Sequence, residues 1–131
     1  MQDRQNVIPV LVYQDIAAAQ SFLVRAFGFE PGPLHREDGR VVHGEVSAGG
    51  TAVWLHRVTA EHGLASPRSL PAESAELVVI VDDVDDHHRR AAEAGAEIRY
   101  PPTDMPYGLR EYSACDSEGR KWSFATRLLG G

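Results

Sequence analysis

Cysteine is almost missing from this chain. Cys115 is the only one in 131 residues, which excludes a disulfide framework, a thiolate zinc cluster and a CxxC redox pair. Lysine is just as scarce: Lys121 stands alone, and the other twelve of the thirteen basic residues are scattered arginines. Against 19 acidic residues they leave a formal charge of −6, with no basic patch to neutralise phosphates, so nucleic acid is excluded as the main partner. Long apolar runs are missing too. The longest aliphatic stretch, Leu77 to Val81, falls far short of the roughly 20 residues that span a bilayer. The first six residues lead straight into a strand-like segment with no apolar signal region. The expectation is a cytoplasmic chain with no membrane partner. Neither a Gly-rich phosphate loop nor a Ser/His/Asp arrangement is present.

What is there suits one domain, residues 1–131, at 43% hydrophobic and 24% charged. Val7 to Tyr13 is an apolar, β-branched run that reads as a strand buried on both faces. Asp15 can cap the helix that follows, in which Ile16, Ala19, Phe22, Leu23, Ala26 and Phe27 recur at amphipathic spacing and Gly28 gives the stop. Pro31 and Pro33 break the chain. Val41–Ser47 and Ala52–Arg57 read as strands joined by the Gly49-Gly50 hairpin turn.

Residues 58–74 lack periodicity and read as a linker between a first module, 7–57, and a second, 75–127. Leu77–Val81 repeats the opening strand, and Asp82-Asp83 can cap a second helix that runs through Ala94 and stops at Gly95. Ala96–Tyr100 is a strand that Pro101-Pro102 should interrupt. Arg110–Cys115 and Lys121–Thr126 are strands joined by a turn at Asp116–Gly119, with Asp first and Gly fourth as a type I turn prefers. The order is strand, helix, three strands, linker, and the same again. A shift of about 68 positions superposes Asp15 on Asp83, the mark of an internal duplication. The predicted class is α+β: two βαβββ modules whose curved sheets enclose a cleft.

The stretches VLVYQDIAAAQSFLVRAFGFEPG (Val10 to Gly32) and PYGLREYSACDSEGRKWSF (Pro106 to Phe124) resemble the vicinal oxygen chelate superfamily. It holds glyoxalase I, extradiol dioxygenases, and fosfomycin- and bleomycin-resistance proteins. The second stretch is similar to the tail of bleomycin-resistance-like members. The resemblance implies paired βαβββ modules, commonly a homodimer, and in the enzymes a divalent metal held by one side chain near the start and one on the last strand of each module. Carried over, those positions are Ile8, Leu55 or a neighbour, Glu76 and Ser123. The 68-residue offset links them in pairs. Hydrocarbon at Ile8 and Leu55 and a poor donor at Ser123 leave Glu76 alone, so the inherited metal site reads as lost and no cofactor is expected.

A replacement metal site is the alternative. Across the Gly49-Gly50 turn, residue numbers that sum to 99 pair, which sets His43 opposite His56 and Glu45 opposite Trp54. His43, Glu45 and His56 would then make a 2-His-1-carboxylate set on one sheet face. Against it, the repeat puts Leu55 on the cavity side, which turns both imidazoles outward.

Trp54 offers an aromatic face to a flat ligand, although a core role is equally open to it, whereas Trp122 reads as core. Tyr107 and Arg110 lie in or beside an irregular stretch where binding residues collect, and Arg110 could instead pair with Glu111 or another acid. Glu76 could anchor a ligand or accept a proton. Cys115, His35 and His62 read as residues without partners. The first functional expectation is therefore a metal-free protein that binds and sequesters an antibiotic or other natural product, cationic or aromatic in kind. It would use Trp54, Glu76, Tyr107, Arg110 and His43. The alternative is a metal-dependent lyase, isomerase or dioxygenase of the same superfamily using His43, Glu45 and His56, or a metal-free enzyme with Glu76 as base.

Overall fold

The computed structural model describes residues 5–129. The opening strand β1 is Val10–Tyr13, and Asp15 caps helix α1, Ile16–Phe27, by accepting a hydrogen bond from the Ala18 amide. The apolar stripe Ile16, Ala19, Leu23, Ala26 and Phe27 is buried, and Gly28 ends the helix with φ 73°. Two short strands follow that the prolines had hidden: β2, Glu30–Pro31, and β3, His35–Glu37. The long hairpin of β4, Arg40–Ala48, and β5, Thr51–Arg57, has the register that a two-residue turn demands, with His43 opposite His56 and Glu45 opposite Trp54.

Residues 58–74 carry only two single-turn 3-10 helices, Ala60–His62 and Pro67–Ser69. The pattern then repeats as β6 (Leu77–Ile80), α2 (Val84–Glu93, capped by Asp83), β7 (Glu97–Asp104), β8 (Leu109–Cys115) and β9 (Lys121–Arg127). The two sheets run β1-β5-β4-β2, with β3 also on β4, and β6-β9-β8-β7. In each, the first strand lies parallel to the last, and the remaining neighbours are antiparallel. Neither sheet closes on itself, and the class is α+β, built from two βαβββ modules, the first with the strand beside β4 split into β2 and β3.

Two strand expectations need correction. The opening strands are not buried on both faces: Val10 is 47% exposed, Val78 49% and Ile80 39%. Each is an edge strand with a helix over one face only. Pro101-Pro102 does not end its strand. β7 runs through both prolines because it is also an edge strand, where a missing N–H costs no ladder bond, and its register slips once before Tyr100 and once across the prolines.

One core joins the modules. Phe27 at the end of α1 meets Phe124 of β9 at 4.8 Å between ring centroids, and Phe29 meets Trp122 at 5.2 Å. Helix α2 docks on the end of α1. The His87 ring accepts from the Tyr112 hydroxyl at 2.6 Å and, through Nε2, donates to the Phe27 carbonyl at 2.9 Å. Arg90 reaches the carbonyls of Val24 and Arg25, both at 3.3 Å, and a Cβ at position 28 would come within 2.8 Å of its guanidinium. A second glycine is forced by packing: a Cβ at position 44 would meet Ile16 Cγ2 at 2.8 Å, so Gly44 lets α1 lie directly on β4.

The turn between β8 and β9 ties the modules from the other end. Asp116 is 7% exposed and accepts four bonds: the Tyr13 hydroxyl (2.5 Å) and Trp122 indole (3.0 Å) on one oxygen, the Glu118 and Arg120 amides on the other. Glu118, 3% exposed, accepts from the amides of Gln14 and Asp15 and from the Ser66 hydroxyl. Burial first, and the Asp116 carboxylate second, hold the Tyr13 phenol well above its ordinary pKa.

Candidate functional site

Alternation along a strand sends neighbouring side chains to opposite faces. Leu55 and Gly44 lie against Ile16, so they face α1, and His43, Glu45, Trp54 and His56 project from the face away from the helices. In the second sheet Trp122, Phe124 and Tyr112 pack toward Phe27 and His87, so Glu111, Ser113, Ser123 and Ala125 lie on the far face. These two far faces are the candidate site.

This corrects the residue assignment at Leu55. It is fully buried beneath α1 and not on a cavity side, so the imidazoles of His43 and His56 do not turn toward the helix layer. The register explains the slip. Val10 pairs with Trp54 and Val78 with Ser123, so the offset is 78 − 10 = 68 on the first strands but 123 − 54 = 69 on the last. The extra residue sits in the second turn, where five residues separate paired Cys115 and Lys121 and four separate paired Ser47 and Ala52. The structural counterpart of Ser123 is Trp54.

On the first far face, the His43 and Trp54 rings meet edge-on at 5.4 Å, and Trp54 remains 37% exposed. His35, which had read as partnerless, pairs with His43, so three imidazoles line up across β3, β4 and β5. Burial and the nearby charges of Arg57, His43 and His62, in that order, lower the His56 pKa.

On the second far face, Glu111 is 6% exposed and accepts from the Tyr100 hydroxyl at 2.6 Å and the Tyr107 hydroxyl at 2.9 Å. Ser113 and Ser123 share a hydrogen bond of 2.6 Å, and Ser123 donates to Glu76 at 3.1 Å. Glu76 also lies 3.3 Å from the Lys121 ammonium, and both line a hollow of about 560 Å³ against residues 67–76. Its bond to Glu111 raises the Tyr107 pKa, so that phenol stays neutral and donating.

The structure therefore brings His43, Glu45, Trp54 and His56 to one far face and places Glu76 and Tyr107 on the other. It does not bring Arg110 to either. That guanidinium faces α2, held by Asp85 and Asp104 at 3.0 Å each, and Glu111 is not its partner because consecutive strand residues point apart. Sequence reasoning missed Tyr100, Ser113 and the role of Glu111. The alternation of β8 was the available signal.

A divalent metal does not fit the residues present. Leu55 is in the core, Ile8 is hydrocarbon, Ser123 is spent on Ser113 and Glu76, and Glu76 already faces a cation. The replacement set of His43, Glu45 and His56 does not form either. Among the described residues no three His, Cys, Asp or Glu side chains are gathered as ligands, because the imidazoles stand one per strand instead of converging on a point. No helix of the described residues is long and apolar enough to cross a membrane.

Residues 7–124 match the Glyoxalase/Bleomycin resistance protein/Dioxygenase superfamily. An uncharacterized protein of Mycobacterium bovis is 32% identical over 123 residues, spanning 88% of this chain and 78% of that protein. Among solved structures, TioX from Micromonospora sp. ML1 is 31% identical with a TM-score of 0.74, over 97% of this chain and 99% of that one. A glyoxalase/bleomycin resistance protein/dioxygenase from Nocardioides has a TM-score of 0.72 at 20% identity, covering 100% of this chain and 88% of its own, and shares the fold.

Proposed function

The chain belongs to the Glyoxalase/Bleomycin resistance protein/Dioxygenase superfamily, and from that premise we propose that it is a metal-free binding protein. It captures an aromatic or cationic small molecule, of the antibiotic or natural-product kind, on the far faces of its sheets. The observation that carries this reading is Trp54. A tryptophan that is 37% exposed on a face with no helix over it, braced edge-on by His43, is a stacking surface that the core does not need. Val10, Val78 and Ile80 add exposed hydrocarbon on the same faces. Supporting the metal-free part, the residues at the inherited ligand positions are hydrocarbon, indole, hydroxyl and one carboxylate already facing Lys121.

We further propose that two copies associate through these faces, setting the imidazole-rich face of one opposite the carboxylate and hydroxyl face of the other. Such pairing would bury the exposed valines and isoleucine and enclose a ligand.

A thermal-shift screen of aromatic natural-product antibiotics, followed by calorimetry, tests capture. A compound that binds the unmodified chain and loses about tenfold in affinity with Trp54→Ala supports it, since an aromatic contact plus its buried area is worth roughly 1–2 kcal/mol. Titration with cobalt, nickel, zinc and manganese tests the metal-free part. A stoichiometric ion lost with His43→Ala or His56→Ala would overturn it.

A further inference from the structure

Glu111 poses a problem that the protein does not solve with its own residues. The carboxylate is 6% exposed, and its bonds come from two neutral phenols, Tyr100 to one oxygen and Tyr107 to the other. Among the described residues no basic side chain lies within 4.0 Å of it, and the nearby cations are engaged elsewhere. Arg110 is held on the opposite face by Asp85 and Asp104. The Lys121 ammonium stands 5.9 Å from the Tyr100 ring centre and 3.3 Å from Glu76. Burying a carboxylate without a counter-charge is costly, and two phenols fill only about half of its four acceptor positions.

The surroundings suit a cation brought from outside. Both phenol hydroxyls point at the carboxylate, and the Lys121 ammonium over the Tyr100 ring shows that this surface tolerates a positive charge. Beside Glu111 in the sheet lies Ala125, and beyond that Ile80, which is 39% exposed. Ala125 is itself fully buried, so the hydrocarbon open to contact on this row is Ile80. Tyr107, which donates to Glu111, is itself 62% exposed on the connection between β7 and β8.

We infer that Glu111, held between the hydroxyls of Tyr100 and Tyr107, is the anchor for a protonated amine on the ligand, whose hydrocarbon reaches toward the exposed Ile80. The inference rests on the capture reading above and names the chemical class that the second far face selects. Trp54 takes the flat part of a ligand, and Glu111 takes its charge.

The test is an NMR-detected titration of the full chain with two probes of matched size, benzylammonium and benzyl alcohol, at neutral pH and low salt. Benzylammonium is expected to shift the ring signals of Tyr100 and Tyr107 saturably and to bind at least tenfold more tightly than the alcohol. E111Q should remove that preference, and Y107F should weaken it while leaving it in place. Equal affinity of the two probes for the unmodified chain overturns the inference whatever the variants do. So does an ammonium preference that survives E111Q in a folded protein. Failure of the two ideas is distinguishable. A chain with no ammonium preference that still loses a screened aromatic on Trp54→Ala keeps capture and loses this anchor. A selective ammonium site in a chain that takes no screened compound keeps the anchor and loses capture.

Discussion

The two modules are one design in which the helix-facing side and the far side have gone different ways. Register aligns Leu55 with Phe124 and Val53 with Trp122 beneath the helices, and all four are apolar and at most 2% exposed. On the far side the edge valines Val10 and Val78 still correspond, but the same alignment sets Trp54 against Ser123 and His43 against Glu111, pairs with no chemistry in common. The helix face answers to packing, where volume and apolar character are the constraint. The far face has no helix to satisfy, so its chemistry was free to diverge, and the imidazole and indole of one module have become the carboxylate and hydroxyls of the other.

The sharpest way to break that comparison is to truncate matched positions on the two sides. Leu55→Ala and Phe124→Ala should cost about 2–5 kcal/mol each, because both leave cavities under a helix. Trp54→Ala, on the far side, should cost below about 1 kcal/mol despite removing a larger side chain, since much of it is already exposed. Urea denaturation read by circular dichroism decides it. Equal losses at Trp54 and Leu55 would mean that the far face is core and the division false.

The modules also differ in how each end of their joint is held, and Asp116 is the next test. It gathers a phenol of the first module, an indole of the second and two amides of its own turn. Asp116→Ala orphans four donors, three of them in buried bonds, and should cost at least about 1–3 kcal/mol, while Tyr13→Phe, which removes one bond and leaves the turn intact, should cost about 1 kcal/mol. If Tyr13→Phe proves as damaging as Asp116→Ala, the carboxylate serves the joint between modules more than its own turn.

At the helix end the joint should respond to pH. His87 is half-buried, and burial lowers its pKa below the ordinary 6.5, with a partial offset from its bond to the Phe27 carbonyl. The folded state therefore prefers the neutral ring. Between the depressed folded value and 6.5 the unfolded chain binds more protons, so this contribution is present above about 6.5 and is lost as pH falls through the folded value. The unmodified protein should lose stability relative to His87→Gln on going from pH 7 to pH 5. Parallel pH profiles for the two would show that the ring does not titrate across unfolding.

Much of this fold was legible because local chemistry and global packing agree. Asp15, Asp83, Gly28 and the Gly49-Gly50 turn act in the structure as their side chains and backbone freedom dictate. The site was less legible. A repeat measured in whole residues hid a one-residue difference in turn length, and one residue is enough to move a side chain to the other face of a sheet. That is why Leu55 read as a cavity position. The short strands β2 and β3 were obscured by prolines that sit comfortably on an edge, and with β3 went the alignment of His35 with His43.

Arg110 and Glu111 are the smallest case and the most instructive. Adjacent opposite charges invite an ion pair in the sequence, but alternation along β8, the strand they share, forbids it. Arg110 turns to Asp85 in the first turn of α2 and to Asp104 at the end of β7, and Glu111 is left without a cation on the far face. Arg110→Ala should change stability only slightly, because the pairs it loses are solvent-exposed and screened by salt. It should leave the affinity for any ligand of the far faces unchanged, whereas E111Q should not. Titrating both variants with one ligand separates the two sides of β8. A loss of affinity with Arg110→Ala equal to that with E111Q would mean that the ligand reaches around the edge of the sheet, and that the far faces alone do not define the site.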